Sequence, residues 1–455
     1  MQRSSLAAIA AGLLVGPAVP AGPALAQGDL TLWRDGDSHL TPTLQVDSAL
    51  FAEHNAWFGE SRTNAGDHVG YWGEFGVMPG LEGILSLGDH GNLRGRVSGV
   101  WTTTQFGLDA AGSNFDDGHP DELTLEDAYL GWSSGGLFPS LGEDAIDISF
   151  GSQKYQVGSG FLFWDGGTDG GPDRGGYWLG MRKAFQLAGI ARLKTGPFMG
   201  EVVYLQPHDA PDSSTDVVGT NLEWTFGERA SVGAGYWYFA DSEIARRDGL
   251  DVFDVRGEVK PFASLPGLAL SGELVYEENG SLNQSWGGYA EVGHSFDAAW
   301  KPYVSFRFSS FTGDREDEDR VEGFDPIFYG FSDWSTWYFG EIFGEYIGTN
   351  RNLDAYTLRL RTEPAEGWTL NLVGLMFVLD EFATEIQPRL FDPRVVLIED
   401  KDLGYEVDLS VDWAMNDYVS WSLVVAALFP GNGLEQAVGG NSVWTHAMLY
   451  ASLSF

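Results

Sequence analysis

The sequence, 455 residues long, contains no cysteine. That excludes a disulfide framework, a thiolate-bound zinc or iron–sulfur centre and a cysteine nucleophile. Basic residues are scarce: 26 Lys and Arg stand against 65 Asp and Glu, a formal net charge of −39. A nucleic-acid partner is excluded on that ground, because nothing would offset phosphate repulsion. After residue 26 no apolar run approaches the ~18 residues that a membrane helix requires. What is abundant instead is glycine, 61 residues, and aromatics, 17 Trp, 17 Tyr and 29 Phe.

The first 26 residues read as a signal peptide. Arg3 supplies the positive end, Leu6 to Val15 the apolar stretch, and Ala24-Leu25-Ala26 the small-residue cleavage site before Gln27. A buried helix is the alternative, but Pro17, Pro20 and Pro23 oppose it. The remainder, 27–455, reads as one domain. An exported, acidic, cysteine-free chain rich in Gly and aromatics points to a β-barrel in a bacterial outer membrane.

Alternation supports that expectation. From Val443 to Phe455 one parity reads Val443, Thr445, Ala447, Leu449, Ala451, Leu453, Phe455 and the other Trp444, His446, Met448, Tyr450, Ser452, Ser454. Successive strand residues face opposite sides, so one side suits lipid and the other water. The final Phe455 matches the terminal aromatic that barrel-insertion machinery reads, although an ordinary amphipathic strand carries the same pattern. Similar alternation runs through 93–101, 253–260, 356–361 and 405–413. A half-buried strand of a soluble sandwich would look alike over any one run. Trp and Tyr at the ends of so many runs favour the barrel.

Short turn candidates at 88–91, 194–197, 227–229, 296–299, 364–367 and 415–417 alternate with long polar stretches at 59–69, 107–121, 156–175, 207–215, 241–250, 313–350, 381–401 and 430–441. Short periplasmic turns opposite long extracellular loops are the outer-membrane asymmetry. The expected fold is therefore all-β: a transmembrane antiparallel up-and-down β-barrel of about eighteen strands, with sixteen as the alternative.

A barrel that wide encloses water. By parity, Arg94, Arg96, Arg182, Arg192, Arg256, Lys260, Lys301, Arg307, Arg359 and Arg361 face inward. So do Asp147, Glu223, Asp254, Glu258, Glu273, Glu277, Glu291, Glu406, Asp408 and Asp412, which leaves the two signs roughly balanced and the acidic excess in loops. The arginines form either a track for anions, since their planar fork suits carboxylates, or a ladder that merely satisfies facing acids.

The stretch Phe324-Asp325-Pro326-Ile327-Phe328, followed by Gly330, Asp333, Trp334 and then Asn350-Arg351-Asn352-Leu353, resembles the alginate export family of outer-membrane barrels. The segment Gly151-Ser152-Gln153 with Gly158-Ser159-Gly160 and the arginine-bearing strand at Arg182 is similar to a second family segment, with Ser152 where that motif carries Arg. The resemblance implies eighteen strands around an electropositive pore that passes an acidic polysaccharide or its oligomers. It makes Arg94, Arg96, Arg182, Arg192, Arg256, Arg307, Arg359 and Arg361 the candidate track. A general or sugar-selective diffusion porin is the alternative. Trp334, Trp337 and Tyr338 could stack sugar rings or pack the loop.

Other chemistry is weakly represented. The acidic run Asp314 to Glu322 lacks the sixth-position Gly of an EF-hand and reads as a solvated loop, or one meeting lipopolysaccharide through bridging cations. No cofactor is expected: Gly158 to Gly176 lacks the Lys-Ser/Thr of a phosphate loop. No His is followed by Ser two residues on, as a barrel phospholipase would need, and only Asp37/His39 and Asp117/His119 have the spacing of a rim protease. A rim hydrolase is thus the remote alternative.

Overall fold

A computed structural model describes residues 30–59, 69–114, 118–209, 212–280, 282–314, 322–330, 339–382 and 398–455. The residues 1–26, Trp334, Trp337, Tyr338 and most of the run after Asp314 lie outside them.

The strands, in chain order, are β1 (Trp33–Asp35), β2 (Ser38–His54), β3 (Tyr71–Ser86), β4 (Asn92–Gln105), β5 (Asp121–Ser133), β6 (Ile146–Gln153), β7 (Phe185–Thr195), β8 (Phe198–Gln206), β9 (Asp216–Phe226), β10 (Ala230–Asp241), β11 (Asp251–Val259), β12 (Leu268–Asn279), β13 (Asn283–Ser295), β14 (Tyr303–Phe311), β15 (Leu353–Ala365), β16 (Trp368–Val378), β17 (Asp402–Ala414), β18 (Val419–Pro430) and β19 (Trp444–Ser454). Each pairs antiparallel with the next from β2 onward, and β19 returns to β2, closing an 18-stranded barrel, while β1 only extends β2 as a short hairpin. At the seam Leu44 and Phe455 exchange backbone hydrogen bonds of 2.9 and 3.0 Å. Closure leaves no open edge, which is what lets strands cross hydrocarbon.

The outward face follows the alternation. Leu125, Leu130, Phe150, Val202, Val255, Leu274, Leu358 and Leu423 are all exposed large apolar residues on that face. Aromatics gather at both rims. Trp224, Phe226, Trp300, Trp368 and Trp421 stand at the short-turn end, and Tyr71, Phe106, Tyr236, Tyr238, Trp286 and Tyr405 at the other. Such paired girdles mark the two membrane–water interfaces.

The connections separate by length as the punctuation suggests. One end carries 87–91, 134–145, 196–197, 227–229, 260–267, 296–302, 366–367 and 415–418; the other carries 55–70, 106–120, 154–184, 207–215, 242–250, 312–352, 379–401 and 431–443. Two connections depart from this division: 134–145 on the short-turn end is longer than 207–215 and 242–250, and 280–282, between β12 and β13 on the long-loop end, has three residues.

Three basic residues with inward parity stand outside the strands. Arg182 lies on no strand: β7 starts at Phe185, and Arg182 belongs to the segment 154–184 that leaves the wall after the eight-residue β6. Lys301 sits in the turn 296–302 at φ 43, largely exposed, pairing with Glu363 at 2.9 Å, and Lys260 lies just past the end of β11.

Candidate functional site

The lumen has two zones. In the half nearer the long loops, inward segments fill it with a hydrophobic core. Phe161 packs on Tyr289 of β13 and Phe311 of β14, at ring separations of 5.6 and 5.7 Å, and Phe163 on Trp237 of β10 at 4.9 Å. A helix, Gly340–Ile347, is buried along its whole length. Its Phe343 stacks on Phe377 of β16 at 3.9 Å, and its Tyr346 on Trp444 of β19 at 5.6 Å. Many inward strand residues here are apolar, among them Phe51, Trp72, Val217, Val252, Val373, Leu375 and Leu428, beside buried acids such as Glu53, Glu74, Glu277 and Glu406. Alternation therefore persists in geometry while its inward set becomes a mixture of apolar residues and buried acids toward the long loops.

Segment 154–184 is fixed to the wall by polar contacts. Arg182, 1% exposed, pairs with Asp169 at 2.7 Å and donates to Thr102 Oγ1 (2.6 Å), Thr124 Oγ1 (2.9 Å) and the Glu122 carbonyl (2.9 Å). Burial pushes the Asp169 carboxyl up to about 6, against the pull of Arg182. Arg174 pairs with Glu122 at 2.8 Å. Segment 322–330 is held by Asp325, which receives Arg247 at 2.6 Å and Arg246 at 2.9 Å. Burial alone would raise the Asp325 carboxyl; Arg247 and Arg246 outweigh it and hold it well below the usual carboxylate range.

In the half nearer the short turns the wall is charged, and most of its arginines pair with an acid. Arg94 pairs with Asp147, Arg96 with Asp127 at 3.0 Å, Arg192 with Glu201 at 2.5 Å, and Arg361 with Glu363 at 3.6 Å. Their side chains keep 29, 28, 41 and 36% exposure in that order. The other wall arginines are enclosed. Arg256, 9% exposed, pairs with Asp254 and with Glu223 at 2.6 Å, and Arg307, 3% exposed, with Glu291 at 2.6 Å while its guanidinium lies 4.6 Å from the Tyr289 ring centre. Arg359, also buried, donates to Asn371 Oδ1 at 3.1 Å. Gly233 makes room for Arg256, since a Cβ there would meet its guanidinium carbon at 2.7 Å.

β14 and β15 are neighbours, with Ser305 opposite Arg359 and Tyr303 opposite Arg361, so Arg307, Arg359 and Arg361 cluster on two adjacent strands. The expected balance of charge on the inward face does not hold. Asp47, Glu53, Glu74, Glu82, Glu122, Glu126, Asp127 and Glu201 also face the lumen, so acids exceed bases on the described wall. Part of the reason is a register shift between Val97 and Gly99 on the β4–β5 pair, which lets the consecutive Glu126 and Asp127 both turn inward. Asp37 and His39 lie at the short-turn end, away from the long-loop rim.

A family model described as alginate export matches residues 175–445, more than half of the chain. No curated protein matches the sequence. Among solved structures, that of Pseudomonas aeruginosa OpdK with vanillate has a TM-score of 0.57 at 11% identity, covering 92% of this chain and 98% of that one. Acinetobacter baumannii OccAB1 has 0.57 at 9%, covering 91 and 97%, and P. aeruginosa OccK5 (OpdH) has 0.56 at 9%, covering 91 and 98%. At these identities the likeness is one of fold.

Proposed function

The chain belongs to the alginate export family of outer-membrane channels, and on that premise we propose that it passes acidic oligosaccharides or related carboxylate solutes along the arginines of its short-turn half. The observation that carries this reading is the exposure of Arg94, Arg96, Arg192 and Arg361, whose guanidinium groups face lumen water while a carboxylate holds each in place. A partly neutralised arginine binds an anion weakly, and weak repeated binding lets a solute leave as well as enter. Vanillate, with which the structurally similar OpdK was crystallised, is itself a carboxylate. Arg182, Arg256, Arg307 and Arg359 act as supports for loops and wall.

In this reading residues 1–26 direct export, Phe455 is read by the insertion machinery, and lipid and lipopolysaccharide surround the barrel. Trp334, Trp337 and Tyr338 stack sugar rings. No catalytic step and no cofactor form part of the function.

Planar-bilayer reversal potentials, followed by titration with uronate oligomers, test the proposal. The intact channel should prefer anions and be blocked reversibly. Replacing Arg94, Arg96, Arg192 and Arg361 together by Gln should remove both properties; unchanged selectivity would sink the reading. The ion pairing of all four favours one alternative, a diffusion porin with a transverse field, whose signature is weak or cation-leaning selectivity without block.

A further inference from the structure

The helix Gly340–Ile347 has no side-chain cap of its own, and its first amides are received by the wall. Glu406 on β17 accepts from the Ile342 and Phe343 amides, both at 2.8 Å, and Asp408 from the Glu341 amide at 3.4 Å. The first amides of a helix lack internal partners and form its positive end, so carboxylates bind there favourably. Gly340, at φ +90, permits the approach: a Cβ would lie 2.6 Å from Glu406 Oε1.

The same contact recurs where other inward segments meet the wall. Glu74 accepts from the Leu179 amide at 3.0 Å, Glu126 from the Lys183 and Ala184 amides at 2.9 and 3.0 Å, and Glu277 from the Asp325 amide at 2.9 Å. The acidic excess of the lumen thus coincides with its loop anchors. The helix also ties two inward segments together. Trp178 Nε1 donates to Glu341 Oε2 at 3.2 Å, and the Tyr177 hydroxyl to the Glu345 carbonyl at 3.0 Å.

We propose that Glu406 and Asp408 are positioning residues of the channel's constriction, holding the 340–347 helix inside the lumen, and that the hold loosens when Glu341 gives up its proton. The charged and titratable groups around Glu341 are Glu345 and Tyr346 on the helix, Glu406, Asp408 and Asp412 on β17, His446 on β19, Glu53 on β2 and Glu74 on β3. Glu53, Glu74, Glu341, Glu406 and Asp408 are all buried, and their one basic ion-pair partner among the described residues is His446, bonded to Glu53 at 2.5 Å. One imidazole cannot offset five carboxylates, and a buried unpaired charge is costly.

Burial pushes the Glu341 carboxyl from 4.5 up to about 7; His446 and the Trp178 indole oppose the rise, and Glu406 and Asp412 add to it. A carboxyl raised on docking favours the docked state in its neutral form. That contribution is complete below 4.5 and disappears as pH climbs through about 7. Above that value Glu341 and the β17 acids repel one another.

Bilayer conductance of the full-length channel against pH tests this. The wild type should hold a low conductance in acid and step up with a midpoint near 7. Glu341→Gln should remove the step and stay low. Glu406→Gln with Asp408→Asn should be raised at every pH, because neutral acceptors grip the helix amides less strongly. The absence of native cysteine permits a second measurement. Phe343→Cys and Phe377→Cys, whose native rings stack at 3.9 Å, can be joined by a short bis-maleimide, one thiol adding across each maleimide double bond. Joining them should flatten the pH profile. A step that survives the Glu341→Gln change or the cross-link overturns the proposal, and these two variants decide it even if the double variant fails to insert.

Discussion

Arg182 shows how much a single side chain can hold in a lumen. Its guanidinium meets one carboxylate, two hydroxyls and one carbonyl at 2.6–2.9 Å, with no exposed nitrogen left for a solute. Arg182→Ala strands a buried Asp169 and should cost about 3–5 kcal/mol of docking for segment 154–184. Limited proteolysis of that segment, compared with the heat stability of the barrel, would register the loss, and an unchanged cleavage rate would show that the ion pair is dispensable. Arg182→Lys should rescue little, because an ammonium cannot reach four partners in one plane. The wall arginines divide in the same way. Changes at Arg307 or Arg359 should lower stability with little effect on selectivity, whereas Arg361→Gln, whose side chain and partner Glu363 are both part-exposed, should shift the reversal potential and leave the melting temperature near the wild-type value.

At the scale of elements, the strands were legible from alternation, and the pore-filling segments were not. Any inward position reads as water-facing by parity, yet Phe51 meets Trp178 and Phe311 meets Phe161, each more than 100 residues away, and no local period encodes that meeting. The acids that grip loop amides were equally hidden, because Glu406 on a strand looks the same whether it faces water or a helix end. The bulge that turns both Glu126 and Asp127 inward breaks parity without any sequence sign that alternation would register. What sequence did carry was the Phe324-Asp325-Pro326 string, whose Asp325 proves to be an anchor for Arg246 and Arg247. That anchor has the opposite pH sense to Glu341. A carboxyl held below its usual value stabilises the docked loop above 3.8 and loses that contribution only as pH falls through the lower bound-state value. Segment 322–330 should therefore remain protected from protease at mildly acidic pH, and Arg247→Ala should bring its release up into that range.

For the molecule as a whole, the barrel and its filling are separable in kind. The wall is closed by strand-to-strand backbone bonds from β2 round to β19, none of which the inward segments supply. A backbone satisfied within its own cylinder needs nothing inside it to span a membrane. The inward segments, in turn, cover the acids that anchor them. Replacing residues 340–347 by a short Gly/Ser linker should therefore leave insertion intact and enlarge the conductance. It should also open Glu406 and Asp408 to lumen water, where their charge raises the local cation concentration. The enlarged pore should accordingly move toward cation selectivity, most strongly at low salt, where screening is least. Adding Glu406→Gln and Asp408→Asn to the linker variant should return the reversal potential toward the wild-type value while the conductance stays high. An enlarged pore whose selectivity is indifferent to those two acids would mean that the arginines of the short-turn half alone set the field.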